Sequence, residues 1–123
     1  MVDTPETRAS LAAILAADAG LAEWTVHPEP PENLARGLNL VVSPRDPYQA
    51  YSTYGHVETM VSATLLVPRA HGPAMDVIDP ALIALRAALG SLRGATIGDT
   101  RTGIIDEVGG LEFVAAMVDI TLS

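Results

Sequence analysis

Cysteine is absent from the 123-residue sequence. That excludes disulfides and thiolate metal sites and leaves the redox compartment open. Lysine is absent too, so all the side-chain positive charge is seven arginines against fifteen acidic residues, a net charge of −8. Such a surface repels phosphate, which argues against binding a nucleic-acid backbone. It suits a surface that nucleic acid passes without sticking, and it serves plain solubility equally well. Arginine without lysine fits GC-rich coding. No uncharged apolar run approaches the ~18 residues of a membrane-spanning helix. Met1 to Glu6 show no basic region ahead of an apolar run, so the reading expects no signal peptide and a cytoplasmic protein, or an assembly built there. Aromatics are scarce as well: one Trp, one Phe and three Tyr.

What is present is a core. Hydrophobic residues make up 49% of the chain, enough for one packed domain over 1–123. Thr4, Pro5 and Glu6 open a first helix as cap, first-turn proline and dipole partner. Leu11, Ile14 and Leu15, with Ala12 or Ala19, line one face, and Gly20 is expected to end it. Trp24 to Val26 reads as a short strand. "HPEPPENLARG" has three prolines in eleven residues and is expected to be a crossing loop. Leu38 to Val42 reads as a buried strand that Pro44 and Pro47 stop. Val57 to Val67 alternates with period two, apolar on one face and mixed on the other, which predicts a long strand ending at Pro68.

Asp79-Pro80 reads as a cap and first-turn proline for a second helix to about residue 92, with an earlier start near Ala74 and a bend at Pro80 as the alternative. Ile78, Leu82, Leu85, Leu89 and Leu92 form its core stripe, and Gly94 is expected to close it. Ala95 to Asp99 and Gly103 to Ile105 read as a weak strand pair or one strand with a bulge. "DEVGG" reads as a turn, and Glu112 to Leu122 as the last strand. The expected fold is α+β: two helices packed on a mostly antiparallel mixed β-sheet, in a single domain.

Catalytic constellations are missing. His27, His56 and His71 lack the spacing of a helical metal site. Gly94, Gly98 and Gly103 have neither the spacing nor the following helix of a phosphate loop. There is no Gly-x-Ser-x-Gly elbow. Asp106-Glu107 reads as a solvated turn. The expectation is therefore a protein with no catalytic, cofactor-binding or metal-binding residues, not an enzyme.

Three features read as interface. "SPRDPYQAYSTYGHVE", residues 43–58, holds Tyr48, Tyr51 and Tyr54 in what reads as a loop. Tyrosine is enriched where proteins meet, and each ring can bury roughly 150–250 Å²; the alternative is a loop folded back over its own core. The back of the second helix carries Ile83, Ala84, Ala87 and Ser91, with no charge where a solvated face normally has several; an Ala-rich composition is the alternative. "GDTRTGIIDEVGG", residues 98–110, is polar and acidic, and reads as a partner-binding segment or a mobile hairpin.

The stretches "LNLVVSPRDPYQAYSTYGHVETMVSATLLVP", "IDPALIALRAAL" and "GGLEFVAAMVDITL" resemble, in order and spacing, the tail terminator proteins of long-tailed (siphovirus-type) bacteriophages, particularly those of actinobacteria. The resemblance runs from about residue 4 to 123 and is strongest at Pro44–Tyr48 and Gly109–Phe113. It implies a homo-oligomeric ring, six subunits in the family, that caps the tail tube, ends its polymerisation and meets the head–tail connector protein. The implied place is the head–tail junction of the virion, assembled in the host cytoplasm, with the tail tube protein as partner. DNA would pass through the ring without specific binding, and no membrane is involved. On this reading Arg45, Asp46, Tyr48, Tyr51 and Tyr54 act in subunit or tube contacts, Ile83, Ala84 and Ala87 form the opposing patch, and Asp99, Asp106 and Glu107 face the lumen or tube. The alternatives are another head–tail connector or head completion protein, and a small α+β enzyme or ligand-binding subunit with its pocket under the tyrosines.

Overall fold

A computed structural model describes residues 4–31, 34, 37–51, 57–69, 72–108 and 110–122. Among these, two α-helices lie on one face of a five-stranded mixed sheet, the expected α+β arrangement. The elements run α1 (Thr4–Ala16), a 3-10 turn (Ala19–Leu21), β1 (Thr25–His27), β2 (Asn39–Tyr51), β3 (Val57–Pro68), α2 (Ala74–Gly90), β4 (Ala95–Val108) and β5 (Leu111–Leu122). The strand order is β1-β2-β3-β5-β4. Among the described residues only β1 and β2 pair in parallel, and such a pair needs a crossover. The proline-rich segment supplies it without forming a helix or strand in its described residues.

Period two does the sorting. The odd positions of β3 (Val61, Ala63, Leu65, Val67) and the even positions of β5 (Ala116, Val118, Ile120) face the helices. They pack with Leu11 and Leu15 of α1 and with Ile78, Leu85 and Leu89 of α2 in one cluster. The other phase of the same strands faces away from the helices. Leu66, Phe113 and Ala115 form a second, smaller cluster there with Val41 and with Leu34 from the crossover. The crossover thus roofs part of the helix-free face.

Several local expectations are corrected. Pro44 and Pro47 do not stop β2. In its register Pro44 pairs with Val61 and Gln49 with Thr59, so residues 45–48 stand opposite Met60 alone. Beyond β1 the strand is an edge, and proline is tolerated at edges and bulges because no ladder N–H is lost. Tyr48 and Tyr51 therefore sit on a strand rather than a loop. Of the two starts expected for α2, the earlier one near Ala74 is found, not Asp79-Pro80. The helix begins at Ala74, and Pro80 lies inside it, losing only one backbone bond, to the carbonyl of Asp76. Its far end is Gly90, capped by Ser91, so Gly94 lies in the turn beyond. Leu92 is half-buried at the rim of the main cluster, and Ile14 is exposed.

Gly20 does not end α1, which stops at Ala16. It lies in the 3-10 turn, where Asp18 Oδ1 accepts a hydrogen bond from its backbone N at 2.8 Å. A Cβ added there would stand 2.7 Å from Ala84 Cβ of α2, so close approach is what requires glycine. Of the two readings of residues 95–105, one bulged strand is found, and the polar segment belongs to it as far as Val108. β4 is continuous, with two register shifts, between Ile97 and Thr100 and between Arg101 and Ile104. Each places two residues opposite one on β5, and Gly103 at the second has φ +72°, the left-handed conformation that bulges exploit.

Candidate functional site: the helix-free face of the sheet

The face away from the helices carries two neighbouring features, an apolar groove and an ion cluster. The groove has a volume of about 180 Å³ and is lined by Pro31, Leu34, Val41, Ser43, Leu66 and Met117 among others. Its floor comes from adjacent rows of the sheet. Val41 pairs with Thr64, Thr64 with Met117, and Met117 with Arg101. The prolines form a wall because they cross the sheet without needing its hydrogen bonds.

The ion cluster lies in the next row, where Ser43 pairs with Ser62 and Ser62 with Asp119. Asp119 is 8% exposed, a carboxylate in a strand flanked on this face by Met117 and Thr121. It accepts from Ser62 Oγ at 3.3 Å and from Arg101 Nη2 at 3.1 Å. Arg45 Nη2 stands 3.6 Å away. Arg101 Nη2 also lies 3.2 Å from Met117 Sδ, so the cluster and the groove share a wall. Both arginines come from irregular edges. Arg45 opens the bulge of β2, and Arg101 sits between the two register shifts of β4. The carboxylate therefore ties both bulged edge strands to the central pair.

Among the described residues two guanidiniums meet one carboxylate, an excess of one positive charge. Their side chains are 33% and 58% exposed, so water shares in neutralising them. Removing Asp119 would leave the Ser62 hydroxyl without its acceptor and two like charges on one face. Asp119→Ala is expected to lower stability by about 1–3 kcal/mol, with the discount for exposed arginines already taken. Ser62→Ala should cost less in that background than alone. A double-mutant cycle in urea checks this, and strict additivity would deny the contact.

Of the expected interface residues, Arg45 is in this cluster. Asp46, Tyr48 and Tyr51 lie on β2 by their backbone, while their side chains, and Tyr54 altogether, lie outside the described residues. Ile83 and Ala87 are exposed on α2, Ile83 at 72%. Ala84 is half-buried against the turn at Gly20, so a contact within the chain accounts for its small size. Asp99 is exposed at the first bulge of β4, and Glu107 is exposed near its end. Asp106 lies on β4 with its side chain outside the described residues. The structure does not bring Asp99 and Glu107 to the groove, and Ile83 and Ala87 belong to the helical face.

Asp119, Ser62, Arg101 and Met117 did not stand out in the sequence. One signal for Asp119 was legible: a lone acid in a strand phase whose other members are Leu111, Phe113, Ala115, Met117 and Thr121, all uncharged. Among the described residues no group of three or more His, Asp or Glu could hold a metal ion, and no helix is long and apolar enough to cross a membrane. No protein-family model matches the chain, and comparison with curated proteins finds no match.

Proposed function

We propose that this chain is a structural virion protein whose copies form a ring, six in number, that caps the tail tube of a long-tailed bacteriophage. The ring ends tube polymerisation and offers the joining surface to the head. The observation that carries the reading is the order and spacing of segments from Leu38 to Leu122, which resembles the tail terminator proteins throughout.

The physical reading supports a protein that works through surfaces. A ring needs one patch to meet a different patch on the next subunit. This fold has two unlike faces, helices with an uncovered Ile83 on one and a groove with a charged rim on the other. The net charge of −8 suits an annulus through which DNA slides without binding. On this reading the partners are further copies, the tail tube protein and the head–tail connector protein. No cofactor and no catalytic step are needed.

Light scattering over a range of concentrations tests the reading. A closed species near six times 12.8 kDa is expected. Tyr51→Ala should leave the subunit folded and prevent the ring. A mass of one chain at every concentration would overturn the self-assembling ring.

A further inference from the structure

We propose that the groove on the helix-free face receives the exposed back of α2 from a second copy of this chain, with Ile83 as the inserted side chain. The proposal rests on the reading that copies of the chain associate, and it names the two surfaces that meet.

The match is one of shape and charge. Ile83 is the most exposed large apolar side chain described, at 72%. A single exposed isoleucine is ordinary; this one continues into exposed Pro80, Ala87 and Gly90 along the same side of the helix, a run of apolar and small residues. Ile83 stands on a helix stripe with Asp76 and Pro80 before it and Ala87 and Gly90 after it, all exposed, and Asp79 beside it. Steps of three and four place these residues on one side of α2. The stripe is thus acidic toward its N-terminal end, apolar at Ile83 and small beyond, with Arg86 on its flank donating to Thr100 Oγ1 of its own chain at 2.8 Å.

The groove presents the complement. Leu34, Val41, Leu66 and Met117 offer an apolar floor that carries no charge among the described residues. At its end, among the described residues, Arg45 and Arg101 outnumber Asp119, leaving an excess positive charge next to Met117. A helix laid along the groove sets its acidic end against that excess and its isoleucine against the apolar floor. Helix-in-groove docking of this kind is a recurrent way for proteins to meet. Small residues at Ala87 and Gly90 let the helix approach the sheet closely.

The two surfaces lie on opposite faces of the sheet, so one subunit cannot satisfy both from a single neighbour. Each docking leaves one groove and one helix back free, and only closure of the series occupies them all. This contact differs from one made by the tyrosine segment, which belongs to the β2 edge.

The absence of cysteine makes the test clean. Ala87→Cys and Ser43→Cys, both keeping Ile83, are prepared as separate proteins, one carrying a mass tag, and both are checked for wild-type melting. They are mixed and treated with a short bis-maleimide, with light scattering in parallel. The expected result is a mixed dimer joining Cys at 87 of one copy to Cys at 43 of the other. Ile83→Asp should weaken association at least tenfold while leaving the melt at high dilution unchanged. A same-variant dimer through position 87 would mean that helix backs meet each other, and would overturn the proposal. So would an oligomer with no mixed cross-link, which leaves the ring reading standing. A single-chain mass with no cross-link overturns both.

Discussion

Phe113→Ala is expected to be among the most damaging single substitutions in this chain, at about 3–5 kcal/mol. Phe113 is 0% exposed and is the largest fully buried side chain described. It does not belong to the core under the helices. It sits in the second cluster, with Val41, Leu66, Ala115 and Leu34. Leu34 comes from the proline-rich crossover, which forms no strand or helix in its described residues and is held to the sheet through this packing. Loss of the ring should therefore cost more than its own transfer free energy, because the crossover loses its floor and the cavity can admit water. For a domain of this size that is about a fifth or more of the whole stability. Urea denaturation should show a large fall in midpoint, and proteolysis should cut first within residues 28–37. A variant within 1 kcal/mol of wild type, as an order of magnitude for a surface change, would show that the helix-free face is not a core. Because Leu34 and Leu66 also line the groove, the same substitution should remove the docking surface proposed for α2.

The fold was largely legible because its signals are periodic. The long strand through Val57–Val67 and the last strand through Glu112–Leu122 announced themselves by alternation, and the stripe Ile78–Leu82–Leu85–Leu89 by steps of four and three. What misled was punctuation. Pro44 and Pro47 read as boundaries, and Pro80 as a boundary or a bend within the helix, and each falls where a missing N–H costs little: a bulged edge for the first two, the outer side of a helix for the third. The glycines misled similarly. Gly98 and Gly103 suggest a loop, whereas each adjusts a continuous strand at a bulge, and a Cβ at Gly98 would lie 3.3 Å from Asp119 Cβ. Bulges depend on which partner strand lies alongside, and one sequence read locally does not contain that.

The candidate site was less legible for the same reason. Arg45, Ser62, Arg101 and Asp119 come from four strands, with separations of 57 residues between Ser62 and Asp119 and 18 between Arg101 and Asp119. No motif joins such residues. Their meeting is a product of strand order and register, and of the four only Arg45 stands out in the sequence, as part of the tyrosine-bearing segment. The exposed apolar back of α2 was legible because its evidence is local: Ile83 and Ala87 at positions where a solvated helix carries charge. Ala84 shows the limit of that reasoning, since the turn at Gly20 covers it from within the chain.

The neighbouring positions Ile83 and Leu85 offer the sharpest separation of fold from interface. Leu85 is 0% exposed in the main cluster. Leu85→Ala removes buried methyl groups between α2 and the sheet, and is expected to cost about 2–5 kcal/mol at every protein concentration. Ile83 lies two residues away, a rotation of ~200° around the helix, and points to solvent. Ile83→Ala, which slightly raises helix propensity, should change the stability of the single chain by less than about 0.5 kcal/mol. The two should differ in a second respect. If copies associate through Ile83, native wild-type protein gains stability with concentration by mass action, and its thermal midpoint rises on going from dilute to concentrated samples. Leu85→Ala should preserve that rise from a lower starting point, whereas Ile83→Ala should flatten it. A concentration-dependent midpoint that survives Ile83→Ala unchanged would move the contact off α2. A midpoint independent of concentration in the wild type would mean that association adds nothing to the stability of the folded chain.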